Sequence, residues 1–167
     1  MSFISKIKEK FNGKKKALPL MYIACSIEYA GGIEWREWMA QELKDMYDVV
    51  IPDLTACPHD KTSSCYPKWI FDTFIKPDIE DVANCDEFFL FIDPSFIKSA
   101  GAKAEVTVAA MLNKRITYYL HEVNFEDLNS WIVGCLYNAK RASDLKSAVE
   151  FYRNNNERVS QYSDKSN

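Results

Sequence analysis

Apolar residues fall along this chain in two kinds of block. Leu20-Met-Tyr-Ile-Ala-Cys25 and the run Glu87 to Ile92, with Phe88-Phe-Leu-Phe-Ile at its heart, are short and nearly continuous, as strands buried on both faces are. Tyr47–Ile51, closed by Pro52, and Arg115–Leu120 are two further strand candidates. Trp35, Trp38, Met39, Leu43 and Met46 recur instead at helical spacing, and so do Trp69, Ile70, Phe71, Phe74 and Ile75. Pro77 interrupts the second set, but as the first residue of a new turn it starts a continuation through Asp78, Ile79, Val82 and Ala83. Further helices are predicted from about Gly101 to Asn113 and from Asp144 to about Arg158. Phe125–Leu136 reads as a short helix or packed loop. Residues 52–67 hold three prolines among Ser, Thr and Asp and predict an irregular surface segment.

Strands that alternate with helices predict a parallel sheet covered on both faces. Four to five strands define an α/β domain, a three-layer doubly wound parallel sheet of flavodoxin-like or Rossmann-like kind, placed at residues 18–158. It is flanked by a basic N-terminal extension (1–17) and a polar C-terminal tail (159–167). In the extension Phe3, Ile4, Ile7 and Phe11 share helical spacing, which would suit a weak membrane or partner contact. A frayed, solubilising terminus is the plainer reading.

Composition narrows the class. The 167 residues, 47% hydrophobic and 27% charged, suit one soluble globular domain, and no apolar run is long enough to span a bilayer. Residues 1–16 carry six lysines and one glutamate, a net +5, which leaves −8 on the remainder of a chain whose total is −3. An acidic body of this kind argues against stable nucleic-acid binding by the core domain. Five cysteines, an odd number with Cys25 and Cys85 in or beside apolar runs, suit reduced thiols and a cytoplasmic protein.

Several chemistries lack their motifs. Neither a Walker phosphate loop, a G-x-G-x-x-G after the first strand nor a G-x-S-x-G elbow is present, so no nucleotide cofactor is expected. His59 and His121 are the only histidines, and Cys57, His59 and Cys65 do not make a four-ligand zinc set, so no metal is expected. The candidate catalytic groups are therefore carboxylates and a tyrosine near strand ends: Tyr22 in the first strand, Asp78 before the central strand, and Glu105 after it. Glu105 sits in Ser99-Ala-Gly-Ala-Lys-Ala-Glu105, where a glycine turn is expected to lead into an Ala/Val-rich helix at the carboxyl end of the strand. Ligands bind at that end in open α/β sheets. Each residue has a plain alternative: Tyr22 a core tyrosine, Asp78 a charge on a helix N-terminus, Glu105 a solvated helix residue. Together at one crevice, two carboxylates suit glycosidic chemistry, one attacking the anomeric carbon while another group manages the leaving group's proton.

At these residues the chain resembles the nucleoside 2-deoxyribosyltransferase family, which includes the 2′-deoxynucleoside 5′-phosphate N-hydrolases. The resemblance runs from about Leu20 to Leu120, through Met21-Tyr-Ile-Ala-Cys-Ser-Ile-Glu-Tyr-Ala-Gly-Gly32 with Trp35-Arg-Glu-Trp38, Lys76-Pro-Asp-Ile-Glu-Asp-Val-Ala-Asn-Cys-Asp86, and Gly101-Ala-Lys-Ala-Glu105 ahead of Asn113-Lys-Arg-Ile116. It implies a doubly wound α/β fold and cleavage of the N-glycosidic bond of nucleosides or nucleoside 5′-monophosphates. Glu105 would be the covalent nucleophile, Tyr22 its hydrogen-bonding partner, and Asp78 a contact to the base or its proton. Ser26, Ile27, Gly32, Ser99 and Gly101 would bind substrate, and a neighbouring subunit of a homo-oligomer would help close the site. The glycosyl group would pass to another base or to water.

The sequence departs from the family at named places. Gly101-Ala102 stands for a glycine-threonine pair, and Ser99 stands where transferases often carry an acid and the hydrolases a phosphate-holding serine. Glu28 stands where the hydrolases have an arginine, for which Arg36 is the nearest substitute. These departures leave a second expectation beside the enzyme: a catalytically silent nucleotide-binding or sensing module of the same fold.

Overall fold

The computed structural model describes residues 18–26, 34–52 and 61–163, with side chains as far as residue 155. Five strands form one sheet: β1 (Leu20–Ala24), β2 (Asp48–Val50), β3 (Glu87–Ile92), β4 (Arg115–Leu120) and β5 (Lys140–Ala142). All pairs are parallel, in the order β2-β1-β3-β4-β5. The order turns back between β1 and β3, which makes their carboxyl ends the switch point where a crevice opens. The expected three-layer α/β sheet is the fold observed.

Period-two alternation divides the strands between two cores. Met21, Ile23, Phe89 and Phe91 face α1 (Glu34–Leu43) and α6 (Leu145–Ser163), where Met39, Leu43, Val149 and Tyr152 complete one core. Tyr22, Ala24, Phe88, Leu90 and Ile92 face the other way, against Val82, Val106, Ala109 and Ile132. These belong to α3 (Lys76–Asn84), α4 (Ala100–Met111) and α5 (Ser130–Cys135). Each large side chain so buried contributes about 1.5–3 kcal/mol relative to exposure. Every residue of β3 is buried, as its apolar run predicts.

Three elements differ from expectation. The segment before β3 is one continuous helical run: α2 (Tyr66–Ile70), a π-helical turn (Phe71–Ile75), then α3. Pro77 does not break it. The Lys76 N–H donates to the Phe71 carbonyl five residues back, so the chain passes Pro77 in a widened register rather than stopping. The second difference is β5, which periodicity does not predict because two of its three residues are exposed on an edge strand. Third, α6 runs to Ser163, beyond the expected 158.

α4 is positioned at both ends. The Ser99 side chain caps its start by accepting from the Ala102 N–H at 3.3 Å. Its end is a Schellman turn: Asn113 takes a positive φ of 53°, and Asn113 and Lys114 donate to the carbonyls of Ala110 and Ala109. Lys114 Nζ then ties α4 to the end of α3 by donating to the carbonyls of Ala83 and Cys85, both at 2.7 Å. No helix among the described residues is long and apolar enough to cross a membrane.

Candidate functional site

The helices flanking β3 meet at its carboxyl end around a cavity of about 570 Å³. Its size is that of a small-molecule site. One wall comes from the helical run before β3, through Ile70, Phe74, Ile75, Asp78 and Ile79. The other comes from the start of α4, through Ser99, Gly101 and Glu105. Asp78 and Glu105 therefore face a common space, although they come from opposite ends of β3.

Glu105 is not a solvated helix residue. It is 7% exposed, and its Oε2 is buried without a hydrogen-bond partner among the described residues. Oε1 is on the side of Gly101, a fellow cavity residue: a Cβ added there would stand 3.9 Å from it. Burial is the main cause that pushes the Glu105 carboxyl up to about 8, and the charge of Asp78 adds to it. The nearby Tyr22 hydroxyl opposes the rise. That hydroxyl is not in hydrogen-bonding geometry with Glu105, since Tyr22 Oη is itself buried and unpaired among the described residues. The two groups lie close enough to feel each other and stop short of a bond.

Tyr22 is fully buried in the middle of β1 and stacks on Phe88 of the neighbouring strand, with ring centroids 5.7 Å apart and planes 9° from parallel. Its phenol is pushed well above the ordinary range, first by burial and then by Glu105, Asp78 and Asp81. It therefore stays protonated and is a donor behind Glu105. Because it does not line the cavity, it would act through Glu105 and not on a bound molecule directly.

The remaining expected residues divide. Ser99 and Gly101 line the cavity. Ser99 Oγ is engaged as the cap of α4, which leaves its O–H as the donor it could offer. Gly101 is the second residue of α4 and not a turn, and a Cβ there would make only ordinary contact. The turn comes earlier: Asp93 accepts from the Ser95 hydroxyl and from the Phe96 N–H at 3.0 Å. Ser26 is buried directly after β1 and is not part of the described cavity wall. Ile27, Gly32 and Glu28 lie outside the described residues, as do Cys57, His59 and the extension at 1–17.

Arg36 is on α1, which packs on the other face of the sheet, and it does not line the cavity. It is 2% exposed, with its guanidinium 5.9 Å from the Trp35 ring centroid, and it opposes the upward push of burial on the Cys25 thiol. Sequence reasoning missed Ile70, Phe74, Ile75 and Ile79 as cavity residues. Their helical spacing marked them as apolar but not as the wall of a site.

A β2-β1-β3-β4-β5 parallel sheet with helices on both faces places the chain among flavodoxin-like α/β domains. Within that class its fold is similar to that of the CMP N-glycosidase BcmB of Clostridium botulinum. The TM-score is 0.51 and the identity 17%, over 78% of this chain and 95% of that one. The match is one of fold. No family model and no curated protein sequence matches the chain.

Proposed function

We propose that the protein is an N-glycosidic enzyme that cleaves the bond between base and sugar in nucleosides or nucleoside 5′-monophosphates. The observation that carries the reading is the buried Glu105 carboxylate, which lines one cavity with Asp78 and has the Tyr22 hydroxyl close by. Ionised Glu105 attacks the anomeric carbon as the bond to the base breaks. The positive charge developing on the sugar is matched to an anion held in low dielectric. The leaving base takes its proton from water, while the ionised Asp78 carboxylate can accept a hydrogen bond from an N–H of the base. Tyr22 donates to Glu105 as charge forms and so orients it. Water or a second base then releases the sugar from Glu105, giving hydrolysis or transfer. The fold shared with a CMP N-glycosidase supports the same reading.

The test is chromatography of products after incubation with a panel of nucleosides and 5′-monophosphates, with and without a free acceptor base. Release of free base that disappears in Glu105→Gln is the expected result. Transfer shows as a new nucleoside only when acceptor is present. No base released from any member of the panel would sink the reading.

A further inference from the structure

The five cavity residues from the helical run before β3 do not have the spacing of an α-helical face. Counted from Ile70, they fall at i+4, i+5, i+8 and i+9 (Phe74, Ile75, Asp78 and Ile79). On a straight α-helix Ile75 and Ile79 would point about 140° and 180° away from Ile70. The π turn at Phe71–Ile75 takes up one residue, and the effective spacing becomes i+3, i+4, i+7 and i+8. That is the stripe of one helix face. Trp69 packs edge-on against Phe74, with centroids 5.1 Å apart and planes at 79°, which fixes the ring in the wall.

We infer that this π-turned face is the specificity element of the site: Phe74, with Ile70, Ile75 and Ile79, takes the flat face of an uncharged nucleobase beside the Asp78 carboxylate. The inference rests on the glycosidic reading for its ligand class. Four of the five wall residues are apolar, so they select by shape and stacking instead of by hydrogen bonds. The Asp78 carboxylate on this wall repels an anionic substituent, and the apolar residues around it offer no counter-charge. The site therefore takes neutral purines or pyrimidines and rejects bases that carry a carboxylate.

Calorimetric binding of free bases, and of intact nucleosides to Glu105→Gln protein, tests this without requiring turnover. Phe74→Ala is expected to weaken binding of a neutral base by about tenfold, with Phe74→Leu between it and the parent. A carboxylated pyrimidine is expected to bind about a hundredfold more weakly than the unsubstituted one. Removing Thr73 together with Pro77→Ala gives an uninterrupted α-helix that keeps the stripe, so binding should stay within about threefold of the parent. If Phe74→Ala does not fold, Phe74→Leu carries the comparison. The inference is overturned if folded Phe74 variants bind like the parent, if the carboxylated base binds equally well, if the shortened helix folds but loses the base, or if the parent binds no base. Base binding as expected with no base release from any substrate would leave the wall standing and remove the glycosidase reading.

Discussion

Asp78 raises the proton affinity of Glu105 across the cavity both residues line. The pair gives the site a pH signature. Glu105 must be ionised to attack, and its carboxyl is held at about 8. The kcat/KM for base release is therefore expected to climb with pH and level off above about 8, since that ratio reports the free enzyme. Asp78→Asn removes one of the causes of the rise and moves the limb to lower pH, whatever it does to the plateau. A profile that is flat between pH 5 and 9, or a limb that Asp78→Asn leaves in place, would contradict this arrangement.

Glu105→Gln should cut base release by about three orders of magnitude or more while the fold survives. Its stability effect has a definite sign. The carboxyl pKa is higher in the folded chain, about 8, than its ordinary 4.5, so the folded state holds the proton more tightly. The stability linked to that proton is fully present below about pH 4.5 and is lost as pH rises through about 8. Glu105→Gln is thus expected to match the parent near pH 4 and to exceed it near pH 9, on the order of a few kcal/mol. Denaturant melts at the two pH values check it, and equal differences at both would show that Glu105 is not buried as described.

How much of this was readable from residues alone follows from which interactions are local. β1, β3 and β4 were legible because their apolar runs are buried by helices on both faces, and the pairing of Tyr22 with Phe88 follows from β1 lying beside β3. β5 was not, because an exposed three-residue edge strand has no periodicity to read. The π turn escaped because helical spacing was counted at one fixed period, and Pro77 then looked like a break. Tyr22, Asp78 and Glu105 were singled out by their placement around the first and central strands, and the resemblance supplied the roles expected of them. The burial of Glu105 was not decidable from its helix, whose small residues allow either exposure or close packing against the sheet. Phe74 and Ile70 show the limit most plainly: only the approach of α4 turns an apolar stripe into a cavity wall.

Tyr22→Phe separates positioning from packing. The phenol oxygen is buried without a partner among the described residues, so losing it should change stability by less than about 1 kcal/mol, or improve it. Activity should fall by about tenfold to a hundredfold, because the donor that steadies ionised Glu105 is gone. The same loss removes the one influence that lowers the Glu105 pKa, so the ascending limb of activity should move to higher pH. An unchanged limb would mean that Tyr22 serves the core alone.

Glu87 provides a stability limb that is independent of the site. It is 2% exposed at the amino end of β3 and pairs with Arg115 at the start of β4. Burial pushes its carboxyl up to about 7, and Arg115 holds it below where burial alone would put it. Its proton-linked stability is present below about pH 4.5 and is lost as pH rises through about 7. Arg115→Met leaves ionised Glu87 buried without its counter-charge, so the cost should appear at pH 8 and largely vanish at pH 5, where Glu87 is protonated. Because the arginine side chain is 61% exposed, the effect is on the order of 1–2 kcal/mol and not that of a fully buried pair. The limb of base release near pH 8 should not move in this variant, since Glu105 sits at the opposite end of the sheet. A shift of both limbs together would mean that the acid-base behaviour assigned to Glu105 reports unfolding and not chemistry.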